Sequence, residues 1–465
     1  MDTFLENILS GISQWVVEKE DKLSYILASQ INGLYSGITE INNLIYNLNS
    51  TSIELNFRIS VLEGYTVLRL NDGTIIKLTT DTLTERIISD NYKNTLIEIH
   101  VSNNVNTITV NTFANCTILE GITIGSGTTI ISNQICYNCS KLSSIVVDSN
   151  NTVYDSRDNC NAIIETSTNK LVAGCNNTII PDTVTSISDN AFIGSGIEAV
   201  VITSGVTSIG FGAFSGCVGL SSITVDVNNV VYDSRNNCNA IIISSTNELI
   251  VGCQNTIIPN TVTGIGLAAF MGCTMLKNIN IPDSVTSIND SSFYGCNGLQ
   301  SISIGSGLTS IGERAFYHCS SLSSITVDSN NAVYDSRDNC NAIIETSTNT
   351  LLYGSNNTII PDTVTSISDN AFIGRSELSS IEIPNSIVNI GDGAFSGCVG
   401  LESVIIGNGL TELSSYAFAD CSNNTLSITI PNTVITIGQN AFRGVNHIEY
   451  HGTATGAPWG ANSMN

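Results

Sequence analysis

The chain has 465 residues, 42% of them apolar but only 12% charged, and its 40 acidic against 16 basic side chains leave a formal net charge of −24. Without clustered Lys and Arg it has little with which to neutralise phosphates, which argues against nucleic acid and against an anionic membrane surface. No apolar run reaches the ~18 residues of a spanning helix, so membrane insertion is not expected.

The opening, MDTFLENILSGISQWVVEKEDK, lacks a basic start and an apolar core ending in small residues, so it does not read as a secretory signal; synthesis and retention in a cytosol are expected. Within residues 1–23, Phe4, Leu5, Ile8, Ile12, Trp15 and Val16 recur at helical spacing and suit a docking helix. The plainer alternative is that they extend the coil that follows or pack on the collar.

Over residues 24–62 the period changes to seven. Ile31, Ile38, Ile45, Ser52 and Ile59 fall at position a, with Leu34, Ile41, Leu48, Leu55 and Leu62 at d, the seam of a coiled-coil stalk. Gly33 and Gly37 weaken an isolated helix, so partner copies are expected. Ile at a with Leu at d favours two strands, whereas apolar Tyr35 at e and Leu44 at g suit three. The count stays open between them, and a homotrimer is the expectation carried forward. Residues 63–94 contain TVLRLNDGTIIKL, a hairpin turning at Asn71, Asp72 and Gly73, read as a β collar.

From 95 to 465 the sequence repeats itself. The unit VTSIGxxAFxGCxxLxSIxI places an aromatic at Phe113, Phe192, Phe214, Phe270, Phe293, Phe316, Phe372, Phe395, Phe418 and Phe442, with Cys136 substituting once. Steps are 22 to 24 residues, apart from three of 56 that each carry a 33-residue insert beginning near Asp148, Asp226 and Asp328. In LSSITV, Leu322, Ile325 and Val327 alternate with Ser323 and Thr326, as in a strand with one buried face. One such unit cannot bury its own apolar side; stacked on identical neighbours it can, which predicts a solenoid of eleven to fourteen coils, roughly 55 to 65 Å long. Eight cysteines (Cys116, Cys139, Cys217, Cys273, Cys296, Cys319, Cys398 and Cys421) recur at one place in the unit and read as buried, reduced thiols. Cys160 with Cys175 and Cys238 with Cys253 share a spacing that allows pairing, but the third copy has Ser355 opposite Cys340.

This signature resembles the BspA-like leucine-rich repeats over about residues 95–455. The resemblance implies a curved, strand-rich solenoid, surface display and adhesive or recognition roles on bacteria or protists, and no enzyme. The fold class expected is therefore mainly β: a BspA-like solenoid preceded by an α-helical coiled-coil stalk and a short β collar. YHGTATGAPWGA at 450–461 is similar to the ends of such arrays and would cap the stack.

Ligand chemistry is written less plainly. The inserts repeat Tyr154 with Arg157, Tyr232 with Arg235, and Tyr334 with Arg337, three sets able to stack on sugars and bond their hydroxyls. The alternative is that each Tyr packs on the next coil while Arg pairs with a neighbouring Asp, such as Asp158 or Asp338. Their Asp- and Asn-rich loops lack the spacing of a calcium-binding EF-hand. His447, Glu449 and His451 share a strand face but read as a surface patch, and His318 beside Cys319 forms no dyad because alternate residues point apart. No metal, cofactor or catalytic residue is assigned.

A docking helix, a stalk, a collar and a terminal recognition array resemble the layout of bacteriophage fibres. That resemblance implies a virion head or tail fibre, assembled in the host cytoplasm, anchored through its N-terminus to other virion proteins and contacting a bacterial surface glycan or protein. The alternatives are a BspA-like cell-surface adhesin and a surface polysaccharide depolymerase.

Overall fold

The computed structural model describes residues 2–421 and 426–464; along the N-terminal helix, the side chains of Phe4, Leu5, Ile8, Ile12, Trp15, Val16, Tyr35, Leu44 and Leu48, among others, lie outside the described residues. A single helix, α1, runs Asp2–Leu62, joining the expected docking and stalk segments without a break. Its last turns pack on the chain's own hairpin through Phe57, Ser60 and the Ile53 side chain, which approaches Gly73. Arg69 lies over the Phe57 ring at 5.8 Å, and Lys77 pairs with Glu63 at 2.6 Å. That contact uses a side of the helix other than the heptad seam, so Ile31, Leu34, Ile38, Ile41, Ile45, Leu55, Ile59 and Leu62 stay exposed in the single chain.

The hairpin is part of the solenoid rather than a separate collar. Thr66–Leu70 pairs antiparallel with Ile75–Leu78 on one side and with Leu96–His100 on the other, and Leu96–His100 continues parallel into Gly121–Ile124 and Ser144–Val147. Thr82–Leu83 already pairs parallel with Thr107–Ile108, so the first coil begins before residue 95. An antiparallel strand ahead of a parallel stack covers its open edge, the hazard of any solenoid end.

Each ordinary coil contributes a short and a longer parallel strand. Ser287–Ile288 stacks on Ser310–Ile311, and Ser301–Ile304 on Ser324–Val327, with Ile over Ile in register. The chain makes about 16 turns, more than the eleven to fourteen expected. The last strand of each insert (Lys170–Gly174, Glu248–Gly252 and Thr350–Gly354) adds a rung to the short-strand ladder, parallel to the strand that follows, and the excess over fourteen comes from Thr66–Leu70 and Leu96–His100, which precede the first repeat.

The ladder aromatics form the core. Phe372, Phe395, Phe418 and Phe442 stack with centroids 4.7, 4.9 and 5.8 Å apart, and Phe270, Phe293 and Phe316 at 4.9 and 5.4 Å. Inserts interrupt these stacks: Gly174, Gly252 and Gly354 lie against the rings of Phe192, Phe270 and Phe372, where any Cβ would fall inside the ring. At the far end Tyr450 and Trp459 pack edge to face at 5.6 Å, and the Phe442 N–H donates to the Trp459 carbonyl at 3.1 Å, closing the last coil.

All fourteen cysteines are buried and unpaired. The ladder thiols do more than fill space: those of Cys296, Cys319, Cys398 and Cys421 donate to the carbonyls of Phe270, Phe293, Phe372 and Phe395 on the preceding coil at 3.1–3.2 Å. Burial pushes Cys116, Cys273 and Cys398 up to about 12, which suppresses the thiolate that would react. A thiol-disulfide reagent at neutral pH is therefore expected to leave the native protein untouched and to titrate fourteen thiols once it is unfolded; prompt labelling of the native chain would contradict this.

Candidate functional site

The three inserts share one construction. In the first, Asn151 donates to the Gly125 and Thr128 carbonyls and accepts from the N–H groups of Val153 and Tyr154, all at 2.9 Å, so one side chain pins the insert to the coil before it. Asn229 and Asn331 repeat the arrangement. Tyr154, Tyr232 and Tyr334 are then buried, at 5–6% exposure. The hydroxyls of Tyr154 and Tyr232 accept from the backbone N–H of Ile131 and Ile209 at 3.0 and 3.1 Å, and that of Tyr334 donates to the Thr309 carbonyl at 3.4 Å. A ring enclosed in this way presents no face to a sugar.

The arginines are engaged as well. Arg157, Arg235 and Arg337 each fork onto a carboxylate, and the partners are Asp155, Asp233 and Asp335 at 2.5–2.6 Å rather than Asp158 or Asp338. Their Nη1 groups also donate to Asn169, Asn247 and Asn349. The six residues hold the insert's shape, and the structure does not leave them as the sugar-stacking sets considered from sequence. Among the described residues no cluster of three His, Cys, Asp or Glu side chains is placed to hold a metal ion. His447 instead bonds Ser463 at 2.8 Å.

The outward stripe of the longer strands falls as its alternation predicts, with Thr224, Asn280, Thr326 and Glu382 exposed and the preceding Ile223, Ile279, Ile325 and Ile381 buried. Hydroxyl-to-amide bonds run between coils on this face, from Ser301 to Asn278 and from Ser303 to Asn280 at 2.7 and 2.6 Å. The face is mixed, since Glu382 and the aliphatic Val146, Val201 and Ile405 are also exposed on it.

The most site-like concavity lies elsewhere, at the corner turns beside the third insert. A groove of about 660 Å³ is lined by Tyr294, Tyr317 and His318 together with Glu313, Arg314, Asp369 and Asn370. Tyr294 and Tyr317 each follow a ladder phenylalanine on successive coils, which leaves them half-buried with their rings on the corner. His318 has a left-handed backbone (φ 56°) and stands edge-on to Tyr294 at 5.4 Å. Burial, then the nearby Arg375 charge, hold the His318 pKa below its ordinary value, so its imidazole is neutral at neutral pH. Aromatic surfaces flanked by carboxylate, amide and guanidinium groups suit a hydroxylated ligand with an apolar face.

Beneath this groove lies Arg375, at the position where most other coils have the ladder cysteine, and it is 1% exposed. Its Nε donates to the Gly354 carbonyl at 2.9 Å, and Nη1 to those of Phe316 and Cys319 at 3.2 Å, tying the insert to the coil before it. Sequence reasoning passed over both features. The irregularity was visible, since FIGR at 372–375 stands where FSGC stands at 395–398. The groove was less so, because the inserts are bypassed at the corner: Asn138 N–H reaches the Ile193 carbonyl and Gly216 N–H that of Met271 at 3.1 and 2.9 Å.

A family model described as BspA type leucine rich repeat region, in six copies, matches residues 69–170, 163–252, 248–350 and 352–454. No curated protein matches the chain. Among solved structures, a leucine rich cell surface protein from Faecalibacterium prausnitzii is 23% identical, with 86% of this chain and 93% of that chain covered and a TM-score of 0.43. A leucine-rich repeat protein from Eubacterium ventriosum is 20% identical over 85% and 97% of the two chains (TM-score 0.46), and one from Bacteroides ovatus is 23% identical over 82% and 93% (TM-score 0.33).

Proposed function

Because the chain belongs to the BspA-type leucine-rich repeat family, we propose that it is a surface-recognition protein. Its solenoid contacts a glycan-bearing cell surface, and its N-terminal helix gathers several copies so that weak sites act together. The adhesin reading thus moves ahead of the virion fibre, since nothing in the family match or in the solenoid is particular to a phage. Binding rather than catalysis is proposed.

The observation that carries the recognition reading is the groove of Tyr294, Tyr317 and His318 beside the third insert. A sugar ring has an apolar C–H face and a rim of hydroxyls, and this groove offers both complements. Exchanging Tyr294 and Tyr317 together for alanine is expected to weaken retention on bacterial surface polysaccharide at least tenfold, about 1.4 kcal/mol. Undiminished retention of the double variant, folded by circular dichroism, would remove the groove from the account. Polysaccharide shortened by the native protein would argue for a depolymerase instead.

The fibre reading keeps one supporting observation, a 61-residue helix with an exposed heptad seam ahead of the array. Immunogold labelling separates the two: an adhesin decorates the envelope of the producing cell, a fibre decorates released particles. Gathering of copies is common to both, and two- and three-stranded assemblies each satisfy the seam.

A further inference from the structure

We propose that the second insert carries a pocket for a small aromatic amphiphile, a ring bearing an amine or hydroxyl, separate from the groove described above and independent of the glycan reading. A cavity of about 320 Å³ opens where the strand Glu248–Gly252 crosses the corner turn of the preceding coil; Phe214, Val251 and Phe270 line it. Pockets of this size take small molecules when apolar walls are joined by a few polar groups.

The third insert shows what shape this space accommodates. Gly252 and Gly354 occupy equivalent places, each against the phenylalanine of the next coil, so Val251 corresponds to Tyr353. The Tyr353 ring packs edge-on against Phe316 at 5.3 Å, and its hydroxyl donates to the Gly312 carbonyl at 3.0 Å. Val251 fills far less of the corresponding space, and an aromatic ring from outside would take the place that Tyr353 fills with its own.

The rim changes in the same direction. Where the third copy has Glu313 and Asp369, the second has Phe211 and Leu267, exposed by 50% and 51%. Ser215 belongs to the cavity wall with its hydroxyl enclosed in the protein, and Glu248 supplies the polar group. Glu248 accepts one bond, from Asn289 at 3.0 Å, and its carboxylate retains further lone pairs for an N–H or O–H donor. A carboxylate at the mouth selects neutral or cationic ligands over anionic ones.

The test is a fluorescence titration of the full-length protein with N-phenyl-1-naphthylamine, a neutral aromatic amine that brightens in apolar surroundings. Saturable binding is expected for the native chain. Val251→Tyr, which copies the third insert, is expected to weaken it at least tenfold, and Leu267→Asp, on the exposed rim, to weaken it severalfold while leaving the core intact. Three outcomes overturn the proposal: no saturable signal from the native protein, a signal that persists in Val251→Tyr and Leu267→Asp alike, or a fall in particle mass in Val251→Tyr, which would give the pocket to a side chain of a second copy.

Discussion

Replacing Phe395 with alanine is expected to destabilise the C-terminal half of the solenoid by about 3–5 kcal/mol, the usual range for a buried phenylalanine. The ring is fully buried between Phe372 and Phe418, 4.7 and 4.9 Å away and within 13° and 3° of parallel. Its removal opens a void on both sides, and the neighbours cannot close it, because each is held by backbone bonds to the next coil: Phe372 N–H to Ala394 and Phe418 N–H to Ala441, both at 2.7 Å. Stability in a stacked array is a sum of nearest-neighbour terms, so the damage should be local. Amide exchange is expected to speed up around residues 372–450 while the coils near Phe113 keep their protection. The matched control is Phe211→Ala: that ring is half exposed, and its loss should stay within about 0.5 kcal/mol. Equal losses for the two variants would mean that the stacked rings are not the core.

Lysine at both Ile38 and Ile41 is expected to take the protein from an oligomer to single 49.3 kDa chains while the solenoid's melting stays unchanged. Both residues are about half exposed in one chain, at 52% and 57%, so lysine costs the monomer almost nothing. In a seam the same lysines bring like charges together in an apolar layer, at several kcal/mol per buried ion. Helical circular dichroism should fall with the mass, since a long helix that contains Gly11, Gly33 and Gly37 draws its stability from packing. Retention on a surface should fall more steeply than the affinity of one groove, because linked sites multiply. A double variant that still sediments as an oligomer would move the assembly interface off the seam.

The repeat was legible because its chemistry is periodic: Phe at fixed steps, Leu and Ile alternating with Ser and Thr, and a different ending at Tyr450 and Trp459. The helix was legible for the same reason, through its heptads. The candidate groove was hidden because the residues that meet there are not periodic. Tyr294, Tyr317 and Asp369 come together only because the corner turns skip the insert between the last two, and no spacing in the chain announces that skip. The three Tyr–Arg sets misled in the opposite way. Their identity across copies reflects a packing duty, with Asn151, Asn229 and Asn331 drawing each tyrosine inward. The differences between copies carry more: Val251 against Tyr353, and Arg375 against a row of cysteines, mark the places where one coil does something the others do not. The hairpin's role was missed because a strand able to pair on either edge looks the same in sequence whether it forms a collar or closes a stack.

Sedimentation equilibrium of the native full-length protein bears most directly on the claim that the helix gathers copies to multiply the solenoid's weak contacts. A mass of two or three times 49.3 kDa, held across dilution, is the expected result. A single-chain mass with the helix intact by circular dichroism would contradict it.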